Sequence, residues 1–327
     1  MVEGTLNFLQ ALKLEVDNVL TPSDLKELLG RDLSSGDVFR ELSRYAIARC
    51  LEGRVGSRLG ELTYSEVHAE ALKCWVEELS SIMELTSPDD VYRKFVATYV
   101  SRHEVRELIN VLKQLKVGSK LGGLELIGSE VLGRLEGVAT VPQVVSVLRE
   151  LRTDASKLVA DALLEQVEAG VKDVNLEALE SRVREAFWRR LDGLASSILS
   201  KNKLSKCLRV LRTLDSIEQR VRAAFLEEGE VVAAAGKAEP LILDALDKAT
   251  DVGDVDAIIQ AVRLKACFDE LKYSPLSADI MMPYLVGREF EVNVISFVIH
   301  AASLGLWRLA AEGLKQLVVA YEEVTGE

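Results

Sequence analysis

The chain has 327 residues, 40 Lys and Arg against 52 Asp and Glu for a formal charge of −12, and 48% hydrophobic residues. That length and apolar content suffice for a buried core, exclude global disorder, and correspond to two or three domains or pseudo-repeats at roughly 100–200 residues each. The acidic balance argues against nucleic acid as a partner of the whole chain, because duplex binding needs a basic footprint.

Residues 1–14 carry Glu3 and Lys13 around a short apolar stretch. They lack the charged start, long apolar run and cleavage site of a signal peptide, so the expectation is mature sequence. Thr21-Pro22-Ser23-Asp24 and Ser87-Pro88-Asp89-Asp90 each read as a helix start: a hydroxyl cap, a proline at the first helical position and a carboxylate near the free amides. Apolar residues recur every three or four positions at Val105, Leu108, Ile109, Leu112 and Leu115, and again at Leu204, Cys207, Leu208 and Leu211. With only six prolines and few alternating β-branched runs, this spacing predicts an all-α protein.

The longest uncharged stretch, Val292 to Trp307, is short of the ~20 residues that cross a bilayer. It contains Asn293, His300 and two serines, and reads as a buried helix. Cys50, Cys74, Cys207 and Cys267 stand singly in apolar, helical contexts, so they are expected to be core thiols in a reducing compartment.

Glycines gather between Val117 and Gly128, and a charged, alanine-rich stretch ends at Pro240. These breaks divide the chain into three helical pseudo-repeats, 1–120, 121–232 and 233–327. Each third holds a short polar block: Arg102-His103-Glu104-Val105-Arg106, Ile217-Glu218-Gln219-Arg220 and Arg288-Glu289-Phe290-Glu291-Val292-Asn293. Their landmark glutamates, Glu104, Glu218 and Glu291, recur at unequal intervals, so any repeat is degenerate.

Catalytic chemistry finds little support. Six residues separate Gly229 from the Gly236-Lys237 pair where a phosphate loop needs four, and Ala238 stands where a hydroxyl would bind magnesium. His68, His103 and His300 are too few and too separated for a metal site; His103 reads as a solvated helix residue and His300 as a core histidine. No catalytic, cofactor-binding or metal-binding residue is therefore expected. One electrostatic feature departs from background: Ser181 to Arg222 holds eleven Lys or Arg against four acids, a net +7, leaving −19 for the rest. Such a segment either pairs with internal acids or presents a surface to an anionic partner, an acidic protein or lipid headgroups.

The run Ser274 to Ile280, Met281-Met282-Pro283-Tyr284-Leu285 and Gly287 to Ile295 resembles the carboxy-terminal signature of the C/d-type rotor component of the archaeal and vacuolar-type rotary ATPases. Tyr284, Arg288, Glu289, Glu291, Val292 and Asn293 fit the family's places. Arg102 to Leu112 and the leucine spacing of Phe8 to Tyr45 agree with its other helices, although Phe8 to Lys13 lacks the arginines the family often carries there. The resemblance implies a funnel of three pseudo-symmetric helical domains on the cytoplasmic end of the membrane proteolipid ring, with the central-stalk shaft held in its cavity. It implies a non-catalytic rotor adapter, peripheral to the membrane, without a cofactor or a transmembrane segment. Partner-binding residues on this reading are Arg182, Arg189, Arg190 and Lys203 from the basic segment, and Arg102, Glu104, Arg106, Glu218, Arg222, Arg288, Glu291 and Asn293 from the blocks. The competing reading of the blocks is internal ion pairing, and the alternative for the whole chain is a helical-repeat scaffold that binds peptides or proteins.

Overall fold

Apolar residues three and four apart close into helices throughout the chain, and in a computed structural model every regular element among the described residues is helical. Those residues are 3–31, 33, 37–118, 133–135, 138, 140–168, 174–198, 202–226, 235–236, 240–274 and 277–326. The composition breaks at 117–128 and 227–240 fall mostly outside them, as does the near-miss phosphate loop.

The chain forms two compact units, one joining Met1–Ser87 to Ile198–Glu327 and one made of Pro88–Ser197. The first contains α1 (Glu3–Val16), α2 (Pro22–Leu29), α3 (Val38–Leu42), α4 (Ala46–Val55), a 3₁₀ turn (Gly56–Glu61) and α5 (Tyr64–Met83). The second contains α6 (Val91–Lys116), α7 (Val141–Leu151), α8 (Asp154–Glu168) and α9 (Leu176–Ser197). The first then resumes with α10 (Asn202–Leu226), α11 (Pro240–Leu246), α12 (Val252–Leu264), a π turn (Lys265–Asp269), a 3₁₀ turn (Ala278–Ile280), α13 (Met281–Ser303) and α14 (Trp307–Thr325).

In the second unit the stripe of α6 does what its spacing predicts. Val105, Leu108, Ile109 and Leu112 bury against Val144 and Leu148 of α7, Val159 and Leu163 of α8, and Leu179 and Val183 of α9. His103 is buried too, which corrects the solvated reading: it lies one turn after the buried Tyr99 on the covered side of the helix.

The first unit is organised around α13. Every residue from Met281 to Val292 is buried, and α1, α3, α4, α5, α12 and α14 pack around the helix. Charge is therefore a poor guide to burial here: the half containing Arg288, Glu289 and Glu291 is enclosed, whereas Phe297 in the uncharged half is exposed. Gly287 permits the closest approach. A β-carbon there would stand 2.9 Å from the Phe268 ring and 2.9 Å from a Val19 methyl, so alanine would have to displace two buried side chains.

The two helix starts differ in detail. Thr21 accepts from the Asp24 amide at 3.4 Å while Asp24 accepts from the Thr21 amide at 2.7 Å, a reciprocal cap with Pro22 at the first helical position. At the second site Ser87, Pro88 and Asp89 precede the helix, and Asp90 is the cap, accepting from Tyr92 and Arg93 amides at 2.8 and 3.4 Å. A carboxylate there satisfies two orphan amides and complements the helix dipole.

The cysteines also correct the sequence reading: they are disulfide-bonded, not free. Cys50 of α4 joins Cys74 of α5 with Cα atoms 5.9 Å apart, and Cys207 of α10 joins Cys267 of the π turn at 5.0 Å. Separations of 24 and 60 residues hide both pairs in sequence, and only helix packing brings them within bonding distance. Each closed loop should contribute about 2–4 kcal/mol. The expected outcome is that alkylation of the unfolded, unreduced chain modifies no cysteine and that full reduction lowers the melting temperature. Four alkylated thiols without reductant would contradict the pairing.

Candidate functional site: a buried arginine held by three carboxylates

On α13, Tyr284, Arg288 and Glu291 are spaced by four and three residues and share one face of the helix. The Arg288 side chain has no solvent-accessible surface. A guanidinium so placed must satisfy its donors and its charge inside the protein. Its Nε and Nη2 fork onto the two oxygens of Glu78, both at 3.0 Å, and Nη1 donates to Oε2 of Glu291 at 2.7 Å. Nη2 also meets the carboxylate of Glu15. The Tyr284 hydroxyl donates to Glu78 Oε1 at 2.9 Å, and the Leu20 amide donates to Glu291 Oε2 at 3.2 Å.

Local sequence explains how the acids reach the arginine. Glu78 follows the buried Trp75 by three positions and precedes the buried Leu79 on α5; Glu15 lies three after Leu12 and one before Val16 on α1. Both sit at the edge of a buried stripe and turn inward with it. Sequence patterning does not single out either acid, and the available signal is a carboxylate at the margin of an apolar helix face. Their partner is 210 and 273 residues away.

Burial opposes the Arg288 charge, but the carboxylates of Glu291 and Glu78 outweigh it and hold the guanidinium above its ordinary value. Burial raises the Glu78 and Glu291 carboxyls, with Arg288 acting against the shift in both. The Tyr284 phenol is pushed well up, by burial first and by the Glu78 charge second. The constellation is a polar joint, centred on one guanidinium, between α1, the turn after it, α5 and α13.

The other sequence-derived residues are dispersed. Arg102 stacks over the Tyr99 ring at 4.0 Å, and Arg106 is exposed on the same helix. Glu104 is raised by burial, opposed by the Thr153 hydroxyl that donates to it. Thr153 in turn accepts from the Ser156 amide at 3.0 Å, at the start of α8. Glu218 bonds Arg263 at 3.1 Å, linking α10 to α12. Asn293 is half-buried on α13. Arg222 lies on α10, and its side chain is outside the described residues.

The basic segment is divided between the units. In the second, Arg182 pairs with Glu165, Arg189 with Glu185 at 2.9 Å and Arg190 with Asp154 at 2.7 Å, all at the surface. In the first, Lys203 is exposed and Lys206 meets Glu270 at 3.0 Å.

Among the described residues no group of three or more His, Cys, Asp or Glu side chains is arranged to hold a metal ion. A cavity of about 410 Å³ between α12 and α14 is lined by Lys248, Lys315, Asp254, Glu312 and Glu323, charges of both signs that select neither an anion nor a cation. No family model and no curated protein matches this chain.

Truncating Arg288 would leave buried carboxylates uncompensated. Arg288→Ala should cost about 3–5 kcal/mol, and Arg288→Lys should recover only part of it because an ammonium cannot make the fork to Glu78. Chemical denaturation measures both; a loss below ~1 kcal/mol for alanine would show that the joint is dispensable.

Proposed function

We propose that the protein is a non-catalytic rotor adapter of an A/V-type rotary ATPase, coupling the central-stalk shaft to the membrane proteolipid ring. On this reading it is a peripheral component at the cytoplasmic face, its three pseudo-symmetric helical parts enclose the shaft as a funnel, and ion flow through the ring drives ATP synthesis or is driven by ATP hydrolysis. No helix of the described residues is long and apolar enough to cross a membrane, and attachment would run through the ring.

The observation that carries the reading is the block from Tyr284 to Asn293. Three of the six residues on which the resemblance rests, Tyr284, Arg288 and Glu291, take part in the joint between α1, α5 and α13. A likeness in such residues concerns the organising centre of a fold and not an exchangeable surface. Arg288 and Glu291 are enclosed, so their contribution to partner binding is to hold helices in place.

Direct contact then falls to exposed cations. The internal pairs of Arg182 and Arg189 are solvent-exposed, and such pairs contribute about 0–1 kcal/mol each. Acidic groups on the shaft or on ring loops can exchange with these partners at little cost, giving orientation and encounter rate more than affinity.

A pull-down of the purified chain against central-stalk proteins and the detergent-solubilised proteolipid ring tests the proposal. Simultaneous retention of both is the expected result. Retention of neither would transfer preference to the helical-repeat scaffold reading. Reversing Arg182, Arg189, Arg190 and Lys203 to Glu should weaken retention most at low salt, where screening is least; equal retention and an unchanged salt dependence would remove these residues from the interface.

A further inference from the structure

We propose that the Arg288 cluster holds one bound proton at neutral pH, on Oε1 of Glu291, and that its loss in alkali loosens the joint between the α1–α2 turn, α5 and α13. Fully ionised, Glu15, Glu78 and Glu291 would bring three negative charges to one guanidinium.

The three carboxyls are not equivalent. Both oxygens of Glu78 receive donors, from Arg288 and Tyr284, so its ionised form is satisfied. The Glu15 side chain is 33% exposed and can be hydrated. Glu291 has no accessible surface. Its donors, Arg288 Nη1 and the Leu20 amide, converge on Oε2, and Oε1 is buried without a hydrogen-bond partner among the described residues. An anionic oxygen with no accessible surface and no protein donor is the costliest atom of the cluster, and a proton on it removes the charge while Oε2 keeps both donors.

The groups acting on Glu291 are Arg288 on its own helix, Glu78 on α5 and the Tyr45 phenol ahead of α4, with Glu15 of α1 acting through Arg288 and Glu78. Burial raises the Glu291 carboxyl, with Arg288 the main opposing influence. A carboxyl raised on folding stabilises most below its unfolded value of about 4.3, and that contribution is lost as pH climbs through the folded value.

Infrared spectra of the full chain, with melting curves from mildly acidic to alkaline pH, test the proposal against Glu291→Gln, the isosteric neutral form. The expected result is a protonated-carboxyl band at neutral pH that is lost in Glu291→Gln and kept in Glu78→Gln. The variant should also gain melting temperature relative to the native chain as pH rises. A band lost in Glu78→Gln but kept in Glu291→Gln, or a melting difference that does not change with pH, overturns it. If Glu291→Gln does not fold, the spectrum of Glu104→Gln, which lacks the raised carboxyl of the second unit, decides: no protonated carboxyl at neutral pH overturns the assignment.

Discussion

A fully enclosed guanidinium is tolerable only when every donor has a partner and its charge is balanced, and Arg288 recruits that balance from three helices. The requirement ties the amino-terminal and carboxy-terminal parts of the chain into one unit, because Glu15 and Glu78 come from α1 and α5 while Arg288 and Glu291 come from α13. Hydrophobic contact alone would let these helices slide by a fraction of a turn. A planar fork onto Glu78 with both distances at 3.0 Å does not. The joint therefore serves register more than net stability, since a buried ion pair recovers little beyond its own desolvation.

The rest of the first unit supports that geometry. Gly287, next to the arginine, lets Phe268 and Val19 approach α13 to within a distance that no β-carbon permits. Both disulfides act on elements that bear on the same helix. Cys74 lies one turn before Glu78 on α5 and is bonded to α4; Cys267 immediately precedes Phe268 and is bonded to α10. Each bridge restrains a neighbour of α13, so arginine fork, glycine contact and cross-links constrain one another.

Local features are legible in the sequence and long-range ones are not. The all-α class and the α6 stripe follow from spacing, because a period of three and four has one structural solution. Thr21 is legible as a cap, whereas the second start shifts by three residues because Asp90 offers a carboxylate where Ser87 offers a hydroxyl. The cysteine pairs are hidden because helix packing, not spacing, brings them together. The acids of the joint are hidden for the same reason. Glu15 and Glu78 look like surface acids on amphipathic helices until Arg288 is recognised as buried and in need of balancing charge. The single basic residue within the run from Met281 to Val292 is the available clue.

The basic segment shows how a charge count along the chain differs from a charged surface. Its +7 is split at the boundary between the units, with Arg182, Arg189 and Arg190 in one and Lys203 in the other. Three of the four cations already have an acidic partner on their own unit. Such pairs are weak at the surface, so they restrain orientation without consuming the charge. Arg288 has the opposite character: its charge is used internally, and removing it would leave the acids that surround it without their cation in an enclosed site. On the proposed rotor-adapter reading, roles in a partner complex would divide along that line. Exposed, loosely paired arginines can change partners on assembly, while the enclosed arginine holds the helices of its own unit in a single arrangement.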